Sequence, residues 1–156
     1  MKWIYLLIVS LTALSCSESI ESVNSNTNSK EENVEISSTS LVILGTTQDA
    51  GYPQIACTKD CCKDVFGRPE LHGMVASLGL IDVSTNKTYL FDATPDIVEQ
   101  MKSLTSFETK SNNEFVDGIF LTHAHIGHYT GLMYLGKEAT DADSVPVFAM
   151  PRMKTF

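Results

Sequence analysis

A chain of 156 residues has room for one ordinary domain. Its 11 Lys and Arg stand against 19 Asp and Glu, a formal charge of -8. No basic stripe is available to follow a phosphate backbone, so nucleic acid is not an expected partner.

Residues 1–15 read as a targeting segment. Lys2 gives a positive start, Trp3 to Leu11 is largely apolar, and small residues lead to Cys16. That apolar run is too short to cross a bilayer as a permanent helix. The cysteine after Leu14 and Ser15 resembles the end of a bacterial lipoprotein signal. The resemblance implies that Cys16 is lipidated and becomes the new N-terminus. The expected location is then the bacterial cell envelope, with the protein exported, anchored to the lipid bilayer and facing the periplasm. An ordinary secretory signal is the alternative. Residues 16–40 are rich in Ser, Asn and Glu and nearly free of bulky apolar groups. Such a stretch cannot bury enough surface to offset its ordering entropy, and it reads as a disordered linker. The folded part is expected over 41–156.

Leu41 to Leu44 is a short apolar run ended by Gly45, a first strand. A long loop follows from Thr46 to about Pro69, with Gly51, Pro53 and three cysteines. His72 to Val83 alternates in part and reads as a strand. Ser84 to Lys87 makes a turn, and Thr88 to Phe91 completes a hairpin. Thr94, Pro95 and Asp96 look like a helix start, with Thr94 as N-cap and Asp96 as a first-turn charge. Ile97, Met101 and Leu104 then recur at helical spacing. Asn112 to Glu114 is a polar break. Gly118 to Thr122 is a strand, His128 to Glu138 a helix, and Val145 to Met150 an edge strand carrying Pro146. Strands alternating with helices argue for layered α/β packing.

The segment LTHAHIGHYTGL, Leu121 to Leu132, holds three of the four histidines within six residues. On extended chain, His123 and His125 leave the same face. Gly127 can supply the turn that brings His128 towards them. Neutral imidazoles bind zinc at about 2.0–2.1 Å, and a catalytic site keeps one position for water, whose pKa the ion lowers to about 7. Such a short segment is expected to need a further ligand from elsewhere. A lone histidine such as His72 is more simply a surface or hydrogen-bonded residue.

The cluster resembles the His-x-His-x-Asp-His motif of the metallo-β-lactamase-like hydrolases. The resemblance implies that His123 and His125 belong to a first metal site and His128 to a second. Gly127 stands where the family has an aspartate that binds metal and orients the attacking water. That departure puts a two-zinc centre in question, and with it the ion and the catalysis. Phe91 to Pro95 resembles the family's strand-end segment. Asp92 would be its catalytic-site carboxylate, orienting a ligating histidine through the other ring nitrogen. Ile43 to Cys57, ILGTTQDAGYPQIAC, resembles the opening of the pyrroloquinoline quinone biosynthesis protein B-like subgroup. The implied fold is an αββα sandwich of the α/β class, of which this chain matches the N-terminal half. The remaining ligands, another histidine and a bridging aspartate, are then expected downstream of Phe156.

Cys57, Cys61 and Cys62 form CTKDCC. Three thiolates at this spacing suit a structural zinc completed by one more ligand, His72 among the candidates. The resembled subgroup can carry such a zinc in this loop. A disulfide is the alternative in an oxidising compartment, although an odd number of thiols fits a purely disulfide scheme poorly. No serine elbow surrounds Ser77, and Gly45 and Gly51 form no phosphate cradle. Tyr129 and Thr130 read as packing and capping groups. The sum is an expected zinc-dependent hydrolase of a small-molecule phosphodiester or other small ester. A non-catalytic, metal-binding envelope lipoprotein of the same fold is the alternative.

Overall fold

The computed structural model describes residues 36–107 and 115–156. The targeting segment, Cys16, most of the linker and the break at 112–114 lie outside the described residues. Five strands form one mixed sheet in the order of the chain: β1 (Ser40–Gly45), β2 (Ser77–Asp82), β3 (Lys87–Phe91), β4 (Gly118–Leu121) and β5 (Val147–Ala149). β1, β2 and β3 pair antiparallel, whereas β3, β4 and β5 run parallel. The antiparallel part comes from a hairpin whose turn is tied by Asp82. That carboxylate accepts hydrogen bonds from the Ser84 N–H and from the Ser84, Thr85 and Thr39 hydroxyls. The Ser84 and Thr85 hydroxyls hold its pKa down to about 2.

The two faces of the sheet differ. Val42, Leu44, Ile81, Leu90, Ile119 and Leu121 alternate onto one face and meet Ile97 and Leu104 of α1 (Ile97–Thr105). Leu90, Ile97, Leu104 and Ile119 are at most 1% exposed and form the centre of the core. Gly79 lets the helix approach, since a Cβ there would run into the Leu104 side chain. The opposite face carries Leu41, Ile43, Leu78, Phe91, Phe120 and Phe148. Phe120 stacks on Phe91 and Phe148 at ring-centroid separations of 5.2 and 4.7 Å. Leu41 and Ile43 remain 64% and 70% exposed among the described residues.

Several expectations are corrected. The strand expected over 72–83 begins only at Ser77, because 73–75 pairs with the loop after β1 instead: Thr47 bridges Val75 and Tyr52 bridges Gly73. Asp96, not Thr94, is the residue before the helix, and its side chain makes no cap bond; it accepts the Val75 N–H at 2.7 Å. The Thr94 hydroxyl oxygen accepts the Asp96 N–H and donates to the buried Gln100. The helix expected over 128–138 starts earlier and is shorter: α2 covers Ile126–Tyr129 and tightens into a 3₁₀ segment over Thr130–Leu135. There the Gly131 N–H bonds to the Ala93 carbonyl, which pulls the chain onto the start of α1. The folded part also begins before residue 41, since Ile36 packs on the core and Ser40 opens β1.

Candidate metal centre

The parallel strands β3 and β4 end side by side, and both chain exits turn into helices at that edge. Asp92 follows β3 in the left-handed region at φ 68°, a conformation that Asp tolerates better than most residues. Its N–H bonds to the Phe120 carbonyl at 2.8 Å, and the next N–H, of Ala93, to the His128 carbonyl at 2.9 Å. Backbone bonds thus lock the two junctions together before any side chain acts.

The buried Asp92 carboxylate is saturated. It accepts the Thr122 N–H at 2.8 Å, the Thr122 hydroxyl at 2.9 Å and His128 Nδ1 at 2.8 Å. A carboxylate only accepts, so the Thr122 hydroxyl spends its single proton there. His123 Nδ1, 2.8 Å from the same hydroxyl oxygen, must then be the donor of that second bond. This assigns the Nδ1–H tautomer to His123 and leaves its Nε2 lone pair available. His128 is likewise held through Nδ1, with Nε2 turned to the site. Asp92 therefore positions His128 directly and His123 through Thr122.

The three imidazoles converge. The His123 ring lies 4.6 Å from that of His125 and 4.2 Å from that of His128, centroid to centroid. His125 and His123 are exposed, whereas His128 is buried. A fourth group, not singled out from the sequence, completes the cluster. Asp49, in the loop after β1, places Oδ1 3.1 Å from His128 Nε2 and Oδ2 2.8 Å from His125 Nδ1. The one signal that pointed towards it is Gly127, where the resembled motif has a carboxylate.

Burial pushes the His128 imidazolium down, but Asp49 and Asp92 on its two nitrogens outweigh this and raise its pKa above the ordinary histidine value. The same His128 hydrogen bond, opposed by slight burial, holds Asp49 below the usual carboxylate range.

The donor set fits a divalent cation. Ligand atoms of Asp49, His123 and His128 all lie within 4.8 Å of one another. Ligands about 2.0–2.2 Å from one tetrahedral zinc lie about 3.3–3.6 Å apart, so a closure of about 1 Å brings these atoms onto one ion. His125, expected from the sequence as a ligand, is not one of these three groups; it bonds to Asp49 at 2.8 Å. Beside His123 opens a groove of about 510 Å³ lined by Thr122, Met150, Arg152, Met153 and Phe156.

The three cysteines form a separate donor group and line a second pocket with Gln48 and Gly51 of the turn that carries Asp49. Cys57 and Cys62 are joined as a disulfide, and Cys61 is the free, exposed thiol among the described residues. The disulfide alternative is thus the form present here. The three sulfurs nonetheless lie within 4.8 Å of one another. His72 is no neighbour of the histidine cluster; its Nε2 sits 3.2 Å from the Val65 carbonyl. Tyr129 packs edge-on against Phe156, and the Thr130 hydroxyl donates to the Ile126 carbonyl.

Comparison with known proteins agrees with this geometry. Residues 87–155 match the family model described as the beta-lactamase superfamily domain. The fold is similar to that of a diphosphatase from the PhnP family, with TM-score 0.53 and 25% identity over 74% of this chain. It is also similar to Zn(2+)-bound PqqB from Methylobacterium extorquens, with TM-score 0.53 and 18% identity over 70% of this chain. The chain spans 42% and 45% of those two proteins, so it represents part of their domain. No curated protein matches the sequence significantly. The fold is thus metallo-β-lactamase-like, of which the chain carries part, and residues 87–155 resemble the superfamily's domain.

Proposed function

We propose that the protein is a zinc-dependent hydrolase acting on a phosphodiester or another small ester. The observation that carries this reading is the convergence of Asp49, His123 and His128 at the strand ends, with His125 bonded to Asp49. Metal-binding imidazoles need their other nitrogen held, and Asp92 and Thr122 hold those of His128 and His123. When bound, zinc would acidify a water molecule and polarise the bond under attack.

The chain's own residues do the rest. His123, His125, His128 and Asp49 would hold the ion. Asp92 fixes two ring orientations and keeps a proton on each Nδ1, so that both Nε2 atoms can face the site. The groove beside His123 leaves room for a small substrate, and Arg152 on its wall suits an anionic ester. The leaning towards phosphoesters draws on that arginine and on the likeness to a diphosphatase. The reading extends to the cell: an exported protein, anchored in the envelope by lipid on Cys16, with a small-molecule substrate and no nucleic-acid partner.

Metal analysis of the purified protein, run beside a screen of phosphodiester, thioester and lactam substrates, tests this directly. Bound zinc with metal-dependent turnover of an ester is the expected result. Bound zinc without any turnover would favour a non-catalytic metal-binding lipoprotein. Absence of bound zinc would remove both readings. His125→Ala should lower the zinc content; an unchanged stoichiometry would count against its ligand role.

A further inference from the structure

We propose that Asp49 supplies, from the loop after β1, the carboxylate that the resembled histidine motif carries at position 127. The inference rests on the zinc-binding reading above.

The two positions compete for one space. A Cβ built on Gly127 would lie 2.5 Å from Asp49 Cα and 2.7 Å from its carbonyl carbon, far inside van der Waals contact. The obstacle is backbone, so no rotamer change relieves it. Only glycine at 127 lets the Asp49 backbone come this close. A side chain at 127 and the present course of the loop exclude each other. Gly127 and Asp49 are therefore two halves of one arrangement: the motif loses its carboxylate, and the same loss admits another.

The replacement is well aimed. The Asp49 carboxylate spans the two histidines that flank Gly127, reaching Nδ1 of His125 and Nε2 of His128. Its side chain is 36% exposed, so solvent and an incoming ion can reach it. One of its oxygens falls within 4.8 Å of donor atoms on both His123 and His128.

The loop that carries it is held on both sides. Before Asp49, the N–H groups of Thr46 and Thr47 bond to the Met74 carbonyl, and the Thr47 carbonyl accepts the Ala76 N–H. After it, the Tyr52 carbonyl accepts the Gly73 N–H. Between them, residues 48–51 form a turn closed by the Gly51 N–H on the Gln48 carbonyl. The Gln48 side chain donates to the Gly51 carbonyl and accepts the Ala50 N–H. Segment 73–76 is fixed in turn by α1, where Asp96 accepts the Val75 N–H and the buried Gln100 donates to the Val75 carbonyl. A carboxylate on such a rigid support loses little entropy when it meets an ion.

The test is competition for Zn²⁺ between the full chain and a chelator, with His128→Ala defining zinc held elsewhere. Wild-type protein should show a site above that baseline. Asp49→Asn, isosteric and uncharged, should lose at least about tenfold in affinity at that site. Asp60→Asn, an exposed acid paired with Lys63 and outside the donor group, should lose nothing. Zinc bound equally by wild type and Asp49→Asn would overturn the inference and leave the zinc-binding reading standing. Absence of any wild-type site above the baseline would overturn both. Should Asp49→Asn fail to fold, the carboxyl ¹³C resonance of Asp49 in unmodified protein decides. A shift at the first equivalent of zinc supports ligation, and an unmoved resonance overturns it.

Discussion

Two clusters among the described residues offer metal donors, and they are built differently. The histidine cluster draws its groups from the loop after β1, the ends of β3 and β4, and α2. The cysteine cluster takes all three sulfurs from six consecutive residues of one loop, and two of them are spent on each other. Behind the histidines stands Asp92, buried and saturated, which fixes two imidazoles in one tautomer. Behind the cysteines stand local turn bonds, such as the Cys62 N–H on the Lys59 carbonyl, and the Tyr52 hydroxyl on the Cys61 carbonyl. The lesson is that donor count distinguishes the two poorly, whereas the groups that orient the donors distinguish them well.

The sharpest way to break this contrast is His128→Ala. It removes the group that bridges Asp49 and Asp92. We expect zinc at the histidine cluster to be lost. We also expect about 1–3 kcal/mol of stability to be lost in the metal-free protein, because the buried Asp92 forfeits a partner. Metal analysis and denaturant unfolding check both. A loss of stability without loss of zinc would move His128 from ligand to scaffold.

Next in size is Gly127→Ala, which removes no donor at all. The added methyl forces the Asp49 loop away, so zinc affinity should fall about tenfold, much as when Asp49 itself is replaced. Overpacking should also cost about 1–3 kcal/mol of stability. Unchanged affinity in a folded variant would mean that the loop's position is immaterial to the site.

A smaller effect is expected from pH. His128 has a raised pKa in the folded, metal-free protein. Its contribution to stability is therefore fully present below its unfolded value of about 6.5 and fades as pH rises through the folded-state pKa. Zinc affinity should move oppositely, rising over the same window as the proton on Nε2 leaves. Thermal unfolding with and without zinc, across that range, reads the two slopes. Parallel slopes would show that His128 does not exchange its proton for the ion.

The smallest effect belongs to the other cluster. Cys61→Ser should leave zinc at the histidine cluster unchanged. Thiol titration without reductant should find Cys61 reactive and Cys57 and Cys62 silent. Reactive Cys57 and Cys62 would mean that the loop is reduced and free to bind zinc instead.

Much of the fold was legible because its elements are local. The apolar run Leu41–Leu44 and the hairpin partner Thr88–Phe91 mark strands, and the Ile97, Met101, Leu104 spacing marks α1. Extents were less legible where tertiary partners decide them. Gly73 to Val75 leaves the strand pattern to pair with the loop after β1, and Gly131 tightens the helix after His128 against Ala93. In the site, the histidines stood out because they are neighbours in sequence, and Asp92 through the resemblance of Phe91 to Pro95 to a strand-end segment. Asp49 did not. It sits in a polar turn 79 residues from His128, and nothing within that turn marks its one acid as a ligand. Only the close backbone approach at Gly127 ties the two segments together. Gln100 was hidden for a related reason: it sits in the helix as a buried polar residue whose partners, Thr94 and the Val75 carbonyl, become neighbours only on folding.

Anomalous diffraction from zinc-soaked crystals of the protein tests the central claim most directly. The account predicts a zinc peak bounded by Asp49, His123 and His128. A map with density only at the cysteine loop, or with none at either cluster, would contradict it.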